Sequence, residues 1–332
     1  MAHQVIGIGN AIMDVIASVT DDALERLGVR KGIMQLIDRE RSDALTAAAG
    51  ASGQGPRLVP GGSVANTLAG LGRLGLTTAF IGRVADDDLG RSYAQGMAAD
   101  GTDFVNPPVP GGSLPTSRSI IHVTPDGERS MNTYLGISAE LGPAEVDPSL
   151  FSGGTWLFLE GYLFDKDQGK AAFLKAAQAC HAAGGQAGIA LSDPFCVDRH
   201  RGDFRRLLSG PMDYVIGNEH EWQSLFQTED LAEALQRASA LCGTVICTRS
   251  GEDAILIRGT ERAVVPVRRI TPVDATGAGD QFAAGLIHGL VTGRPLAVAG
   301  RMGCIAAAEV IGHVGARPEA DVMALFRAEG LD

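Results

Sequence analysis

The residues of this 332-residue chain best suited to chemistry form one run near the C-terminus, Asp274-Ala275-Thr276-Gly277-Ala278-Gly279-Asp280-Gln281-Phe282. Gly277 and Gly279 permit a tight turn with exposed backbone, and Phe282, Leu286 and Leu290 then repeat at helical spacing, which predicts a helix starting at the turn. The first N–H groups of such a helix have no intrahelical acceptor and lie at the positive end of its dipole. Gly277-Ala278-Gly279 is therefore a candidate pocket for a phosphate or a developing oxyanion. Asp280 sits inside that pocket. It can cap the first turn, but with Asp274 and Thr276 crowding the same turn it also suits a general base beside an anion hole. That arrangement would deprotonate an alcohol while a phosphoryl group is transferred to it.

Three further groups of polar residues fall at predicted element ends. Gly61-Gly62-Ser63-Val64-Ala65-Asn66 opens a second Gly-rich helix, with Ser63 as the expected N-cap, Leu68, Leu71 and Leu74 at helical spacing and Gly75 as the stop. Asp14 lies between two apolar runs, the strand Gln4–Gly9 and a restart at Val15–Val19, where a turn is expected. Gly217-Asn218-Glu219-His220-Glu221 follows an apolar strand, which places its polar groups at the carboxyl edge of a sheet. Gly7-x-Gly9 is not a dinucleotide fingerprint, because Ile12 stands where the third glycine belongs and Asp14 comes too early for the ribose-binding acid.

The elements that must position these groups follow from periodicity. From Thr155 onward strands and helices alternate (Trp156–Leu163, Lys170–Ala183, Gly188–Leu191, Asp213–Ile216, Leu231–Leu241, Val245–Thr248), which implies βαβ units and a largely parallel sheet covered by helices. Ala254–Arg258 and Ala263–Val267 read as a hairpin, and Pro295–Ile311 as a long Ala-rich helix stopped at Gly312-His313. Ser117–Thr124 and Arg129–Tyr134 flank a Pro-Asp-Gly-Glu turn and form another hairpin. With Val15–Val19 and Gly32–Ile37 they are candidate strands of a second, smaller sheet, whereas Gly50–Pro60 reads as a Gly/Pro-rich connection and Asp86-Asp87-Asp88 as a capped helix start.

Composition narrows the function classes. A formal charge of −11 argues against a nucleic-acid surface, and no apolar run reaches membrane-spanning length. Five cysteines without C-x-x-C spacing indicate neither a disulfide framework nor a zinc site. The first residues enter an apolar strand directly, so a cytoplasmic location is expected.

Asp274-Ala-Thr-Gly-Ala-Gly-Asp280-x-Phe282 resembles the C-terminal signature of the ribokinase family of carbohydrate and nucleoside kinases, and Gly61-Gly62-x-x-x-Asn66 resembles its N-terminal signature. Asn218-x-x-Glu221 is similar to the family's N-x-x-E motif. The resemblance covers nearly the whole chain. It implies an α/β, ribokinase-like three-layer fold with a mostly parallel central sheet: residues 1–14, 39–108 and 141–332 as core, 15–38 and 109–140 as a β-sheet lid. It implies ATP held without a P-loop, and Mg²⁺ organised through water by Asn218 and Glu221. Asp280 becomes the catalytic base beside the Gly277, Ala278 and Gly279 anion hole. Asp14, Gly61, Gly62 and Asn66 become substrate contacts, and Asn218, Thr248, Gly251, Gly277, Gly279 and His313 nucleotide contacts. Asp274 and Thr276 are expected to serve a monovalent cation, K⁺. Leu191-Ser-Asp-Pro-Phe195 looks like the Leu-Ser-Ala-Pro-Phe segment of adenosine kinases, with Asp193 in place of the alanine. The implied reaction is transfer of the γ-phosphoryl group to the 5′-hydroxyl of adenosine, with a sugar kinase of the same family as the alternative. The partner is a small nucleoside or sugar, and the protein a monomer or homodimer.

Overall fold

The computed structural model describes residues 2–51, 55–112 and 114–331. Its larger sheet has nine strands. From one edge they run Glu261–Val265, Glu252–Arg258, Thr244–Arg249, Tyr214–Asn218, Gln186–Ala190, Trp156–Glu160, Val5–Ile8, Thr78–Ile81 and Thr102–Phe104. Pairing is parallel from Thr244–Arg249 to Thr102–Phe104, and the expected hairpin supplies the two antiparallel strands at the other edge.

Alternation along the strands explains the layers. Ile6, Ile8, Leu157 and Leu159 point to one face, where Phe173, Ala177 and Cys180 of the Asp167–Ala182 helix complete a core with Phe204, Trp222 and Leu235. Val5 and Phe158 point to the other face, against Leu68 and Leu71 of the Ser63–Arg73 helix and Phe282 and Leu286 of the Ala278–Val291 helix. Each fully buried side chain of this size contributes about 1.5–3 kcal/mol, so both helix layers are tied to the sheet through the periodic positions read from the sequence. All five cysteines are buried, Cys180 within the first of these cores.

The smaller sheet runs Met34–Leu36, Arg129–Tyr134, Ser117–Val123, Ile12–Ser18 and Arg57–Gly61. Two expectations change here. Asp14 is not in a turn: it is the third residue of the Ile12–Ser18 strand, which belongs to the small sheet from its start and not from residue 15. Arg57–Gly61, within the stretch read as a connection and assigned to the core, is an edge strand antiparallel to Ile12–Ile16; residues 52–54 of that connection lie outside the described residues. The reason is local. Met13, Val15 and Ala17 are buried, the last two against Ala49 of the Arg39–Ala51 helix, so the alternate positions Ile12, Asp14 and Ile16 face the opposite side, and Arg57–Gly61 satisfies the strand's exposed backbone.

The Ser63–Arg73 helix is entered through Gly62, not capped by Ser63. Gly62 has φ of 101°, and a Cβ there would lie 2.2 Å from the carbonyl oxygen of Asn10. Gly62→Ala is accordingly expected to destabilise the fold by about 2 kcal/mol or more, since left-handed strain and backbone overlap add. Gly50→Ala, in a helix with open space around the new methyl group, should be neutral or slightly stabilising. Urea denaturation of the two variants checks the contrast, and equal midpoints would remove this role for Gly62.

Candidate active site

Two helices open face to face. Asp280 lies in the first turn of the Ala278–Val291 helix, whose N-cap is Gly277 at φ of 80°. A Cβ on Gly277 would lie 2.6 Å from the Cα of Ala316, so the turn closes against a neighbouring segment that leaves room for glycine alone. The Asp280 carboxylate accepts hydrogen bonds from Ser63 Oγ at 2.6 Å and Asn66 Nδ2 at 3.0 Å, both from the first turn of the Ser63–Arg73 helix. Thr67 Oγ1 donates to the Asp280 carbonyl at 3.1 Å, and Gln281 Nε2 donates to the Asn66 carbonyl at 2.9 Å. Ser63 was expected as a cap; its hydroxyl serves Asp280 instead.

Burial raises the Asp280 carboxyl to about 6, and the bonds from Ser63 and Asn66 hold it from rising further. A carboxylate offers about four lone-pair sites, so two remain for a hydroxyl proton. At neutral pH this group is ionised yet more basic than an exposed aspartate, which is what a general base requires.

Asp14 projects from the small sheet toward this point, and Gly61, opposite Ile12, lies directly beneath it. Among the described residues the Asp14 carboxylate accepts no hydrogen bond. Burial lifts it to about 7 against the nearby charges of Arg129 and Arg317, and Asp280 adds a further upward push. An unpartnered carboxylate of this kind is poised to accept hydrogen bonds from a ligand.

A cavity of about 440 Å³ extends from Asp280 along the carboxyl edge of the large sheet. Its wall includes Gly277, Ala278, Gly279, Asn218, Glu221 and Thr248. The N–H groups of Gly279 and Asp280 open their helix with no intrahelical acceptor, and space around Gly279 is open. These donors fit phosphate oxygens.

Asn218 and Glu221 cap each other. Asn218 Oδ1 accepts from the Glu221 amide at 2.9 Å, Asn218 Nδ2 donates to Glu221 Oε1 at 2.7 Å, and Glu221 Oε2 accepts from the Asn218 amide at 2.8 Å. Burial pushes Glu221 up to about 7. No group of three or more His, Cys, Asp or Glu among the described residues converges as a metal cage. The pair on the cavity wall therefore fits Mg²⁺ that arrives with phosphate oxygens and keeps its waters, the usual preference of that ion.

Three of the expected site residues have other neighbours here. Gly251 lies outside the cavity wall, in a turn where its carbonyl accepts from Arg269. His313 also lies outside it, 3.3 Å from Glu309. Beside Asp274, where a monovalent cation is expected, stands a guanidinium. Arg129 Nη1 donates to Asp274 Oδ2 at 2.5 Å, and the amides of Thr276 and Gly315 complete the carboxylate's partners at 2.9 Å each. Burial works to raise Asp274, but these hydrogen bonds and Arg129 together hold it below its ordinary value.

Three residues were missed in the sequence. Glu160, 1 % exposed at the end of its strand, accepts from the amide and side-chain nitrogen of Asn10 at 2.7 and 2.9 Å and from the Val64 amide at 3.2 Å. It thereby fixes the glycine-entered helix to the sheet edge. Arg317 donates to Asn66 Oδ1 at 3.4 Å and the Pro60 carbonyl at 2.5 Å, and pairs with Asp100; burial pulls it down to about 10. Arg129 reaches Asp274 from a strand of the small sheet. No motif marks these residues. An acid ending an apolar strand, as in Trp156-Leu-Phe-Leu-Glu160, was the one usable signal.

A model of the pfkB family of carbohydrate kinases matches residues 32–322. The chain belongs to this family. The crystal structure of a probable sugar kinase from Rhizobium etli CFN 42 is 40 % identical, with a TM-score of 0.89, and the match covers all of both chains. The crystal structure of the adenosine kinase from Sinorhizobium meliloti is also 40 % identical, with a TM-score of 0.88 over 99 % of this chain and 100 % of that one. A fructokinase from Klebsiella pneumoniae is 29 % identical over 70 % of this chain and 76 % of its own length. The ribokinase-like fold and the assignment as a sugar or nucleoside kinase rest on these likenesses together with the sheet topology.

Within the kinase, the Arg129–Asp274 pair joins the small sheet to the turn that opens the Ala278–Val291 helix, with both side chains buried at 8 % and 5 % exposure. Removing one partner of such a pair strands a charge. Arg129→Met is expected to cost about 3–5 kcal/mol, and Arg129→Met with Asp274→Leu less than the sum of the single changes. A double-mutant cycle in urea measures the coupling. Strict additivity would mean the pair does not hold the sheet to the turn.

Proposed function

We propose that this kinase transfers the γ-phosphoryl group of ATP to the 5′-hydroxyl of adenosine, giving AMP. Asp280 takes the proton from the accepting hydroxyl. Asp14 and Asn66 accept and donate hydrogen bonds at the ribose hydroxyls, and Gly62 lets the sugar approach the backbone. Gly277, Ala278 and Gly279 present the helix entrance to the transferring phosphoryl group, where aligned N–H groups stabilise charge that develops in transfer. Thr248, Asn218 and Glu221 lie on the nucleotide side. Mg²⁺, when bound with the nucleotide, supplies charge neutralisation on the phosphate oxygens, and Asn218 with Glu221 would hold its water shell.

The observation that carries the nucleoside reading is the segment Leu191-Ser192-Asp193-Pro194-Phe195 at the cavity. Ser192 adopts φ of 78°, its Oγ accepts from the Gly161 amide at 2.8 Å, and its carbonyl accepts from Tyr162 Oη at 3.2 Å. Ser192 and Tyr162 both line the cavity, whereas Phe195, 77 % exposed, lies outside its wall. Strain of this kind in a non-glycine residue persists only where surroundings enforce it, commonly at ligand sites. Tyr162 gives this wall an aromatic side chain, a surface that suits a purine and stays unused by a free sugar. Asp193 departs from an alanine for a structural reason: its side chain caps the Pro194–Leu208 helix by accepting from the Cys196 amide at 2.8 Å. The match to the Sinorhizobium adenosine kinase adds support. A sugar kinase is the second reading, favoured by the fructokinase likeness.

Asp280→Asn is expected to lower turnover by about 10²–10⁴ with little change in acceptor binding. In the unaltered enzyme kcat should fall as pH drops through about 6, because protonation removes the base. A folded Asn variant with near-normal turnover would end this assignment.

ADP release coupled to a screen of adenosine, other nucleosides, ribose and fructose tests the acceptor. Adenosine should have the highest kcat/KM, and 2′-deoxyadenosine should be markedly poorer. Asp14→Ala should raise KM for adenosine at least about tenfold, since ligand hydroxyls left without an acceptor cost about 1–3 kcal/mol each. A higher kcat/KM for a simple sugar would replace the nucleoside reading with the sugar reading and leave the kinase assignment intact.

A further inference from the structure

A second cavity, about 610 Å³, lies at the opposite edge of the large sheet. It is lined by Trp156, Gln186, Tyr214 and Thr244, the first residues of four strands whose far ends carry the phosphoryl-transfer site. Leu290 and Arg294, at the end of the helix that begins beside Asp280, also line it. A 14-residue helix is roughly 21 Å long, so the two cavities are separate sites.

Two guanidinium side chains, Arg258 and Arg294, face this space, and neither makes a side-chain hydrogen bond or ion pair among the described residues. Arg294 Nε is buried without a partner. The one acid on the wall is already engaged: Asp213 accepts from His181 Nε2 and from the Ala187 amide, each at 2.8 Å. The rest of the wall is mixed: Gln186 and Thr244 are polar, and Trp156 packs on Tyr214 at 5.3 Å between ring centroids. In a chain of net charge −11, two uncommitted arginines beside a satisfied acid leave a local positive excess. A guanidinium pairs best with a planar or tetrahedral oxyanion through parallel N–H donors, and two of them match the two negative charges of a phosphate monoester.

We propose that this cavity binds a small organic phosphate monoester, its phosphate on Arg258 and Arg294 and its apolar body against Trp156. The chain's other tryptophan, Trp222, is fully buried and donates to the Ile246 carbonyl, so fluorescence change on binding reports chiefly on Trp156. Phenyl phosphate should give a saturable change, weakened at least about tenfold in both Arg258→Gln and Arg294→Gln, the scale of one lost charge-assisted contact. Asp280→Asn should leave that change unaltered, and both arginine variants should keep the ADP-release activity measured without probe. Benzoate should bind more weakly than phenyl phosphate. The proposal is overturned by a response that never saturates, by one that survives both arginine changes, by one lost in Asp280→Asn, or by equal binding of benzoate. It also fails if Arg294→Gln lowers the melting temperature while leaving the response intact, which would make Arg294 a helix-end partner only.

Discussion

The site depends on one carboxylate shared between two helix entrances. Asp280 belongs to the first turn of one helix but takes its hydrogen bonds from Ser63 and Asn66, in the first turn of another. Thr67 repeats the link through the Asp280 carbonyl, and Gln281 returns it in the opposite sense through the Asn66 carbonyl. The helices can meet this closely only because Gly70 lacks a side chain; a Cβ there would lie 2.2 Å from Gln281 Oε1. A consequence is that the Gly277 turn, the Asp280 carboxylate and the Gly62 turn are fixed by the same few bonds. Displacing any one would move the others.

Burial then sets the chemistry. Asp14, Glu160 and Asp280 are each raised chiefly by desolvation, yet each is offset differently: Asp14 by the charges of Arg129 and Arg317, Glu160 by the Asn10 and Val64 donors, Asp280 by one hydroxyl and one amide. Offsetting by fixed donors leaves a carboxylate committed to its partners, as Glu160 is. Offsetting by charge at a distance leaves its lone pairs free, as at Asp14. The same burial thus yields a structural acid and a ligand-facing acid within one site. Arg129 belongs to both networks, since it faces Asp14 and bonds to Asp274, so the small sheet brings to the cleft both the free acid and the cation that restrains it.

The sequence made the helix at Ala278, the glycine turn at Gly62 and the parallel sheet legible because each is a local matter: a glycine where φ is positive, an apolar period of about 3.6 or 2. Asn218 and Glu221 stood out by their place after an apolar strand and their resemblance to the N-x-x-E motif, while the reciprocal cap they form went unread. Arg57–Gly61 was misread because a strand's status is decided by a partner far along the chain, here Ile12–Ile16, and Gly and Pro in its neighbourhood signal a loop. Ser63 was misread for a similar reason. Its side chain had a local use as a cap and a non-local one at Asp280, separated by 217 positions, and the non-local use won. Arg129, Glu160 and Arg317 were invisible because a compensating charge needs proximity in space and no spacing in sequence.

The same distinction separates the two acceptor readings. The groups that meet a phosphate and a primary hydroxyl are common to both, so nothing in the Asp280 network discriminates between them. Discrimination must come from residues that touch what a nucleoside has and a sugar lacks. Asp193, the residue that breaks the nucleoside-like pattern, has its carboxylate occupied by the Cys196 amide and contributes helix stability at the cavity rim. What lines the cavity there is the strained Ser192, held by the Gly161 amide, and the ring of Tyr162, whose hydroxyl is committed to the Ser192 carbonyl. An aromatic face on a cleft wall has apolar surface still to bury, and a flat base offers that burial where a hydrated sugar does not. The weight of the nucleoside reading therefore rests on Tyr162 and the turn it holds, and not on Asp280 and its partners.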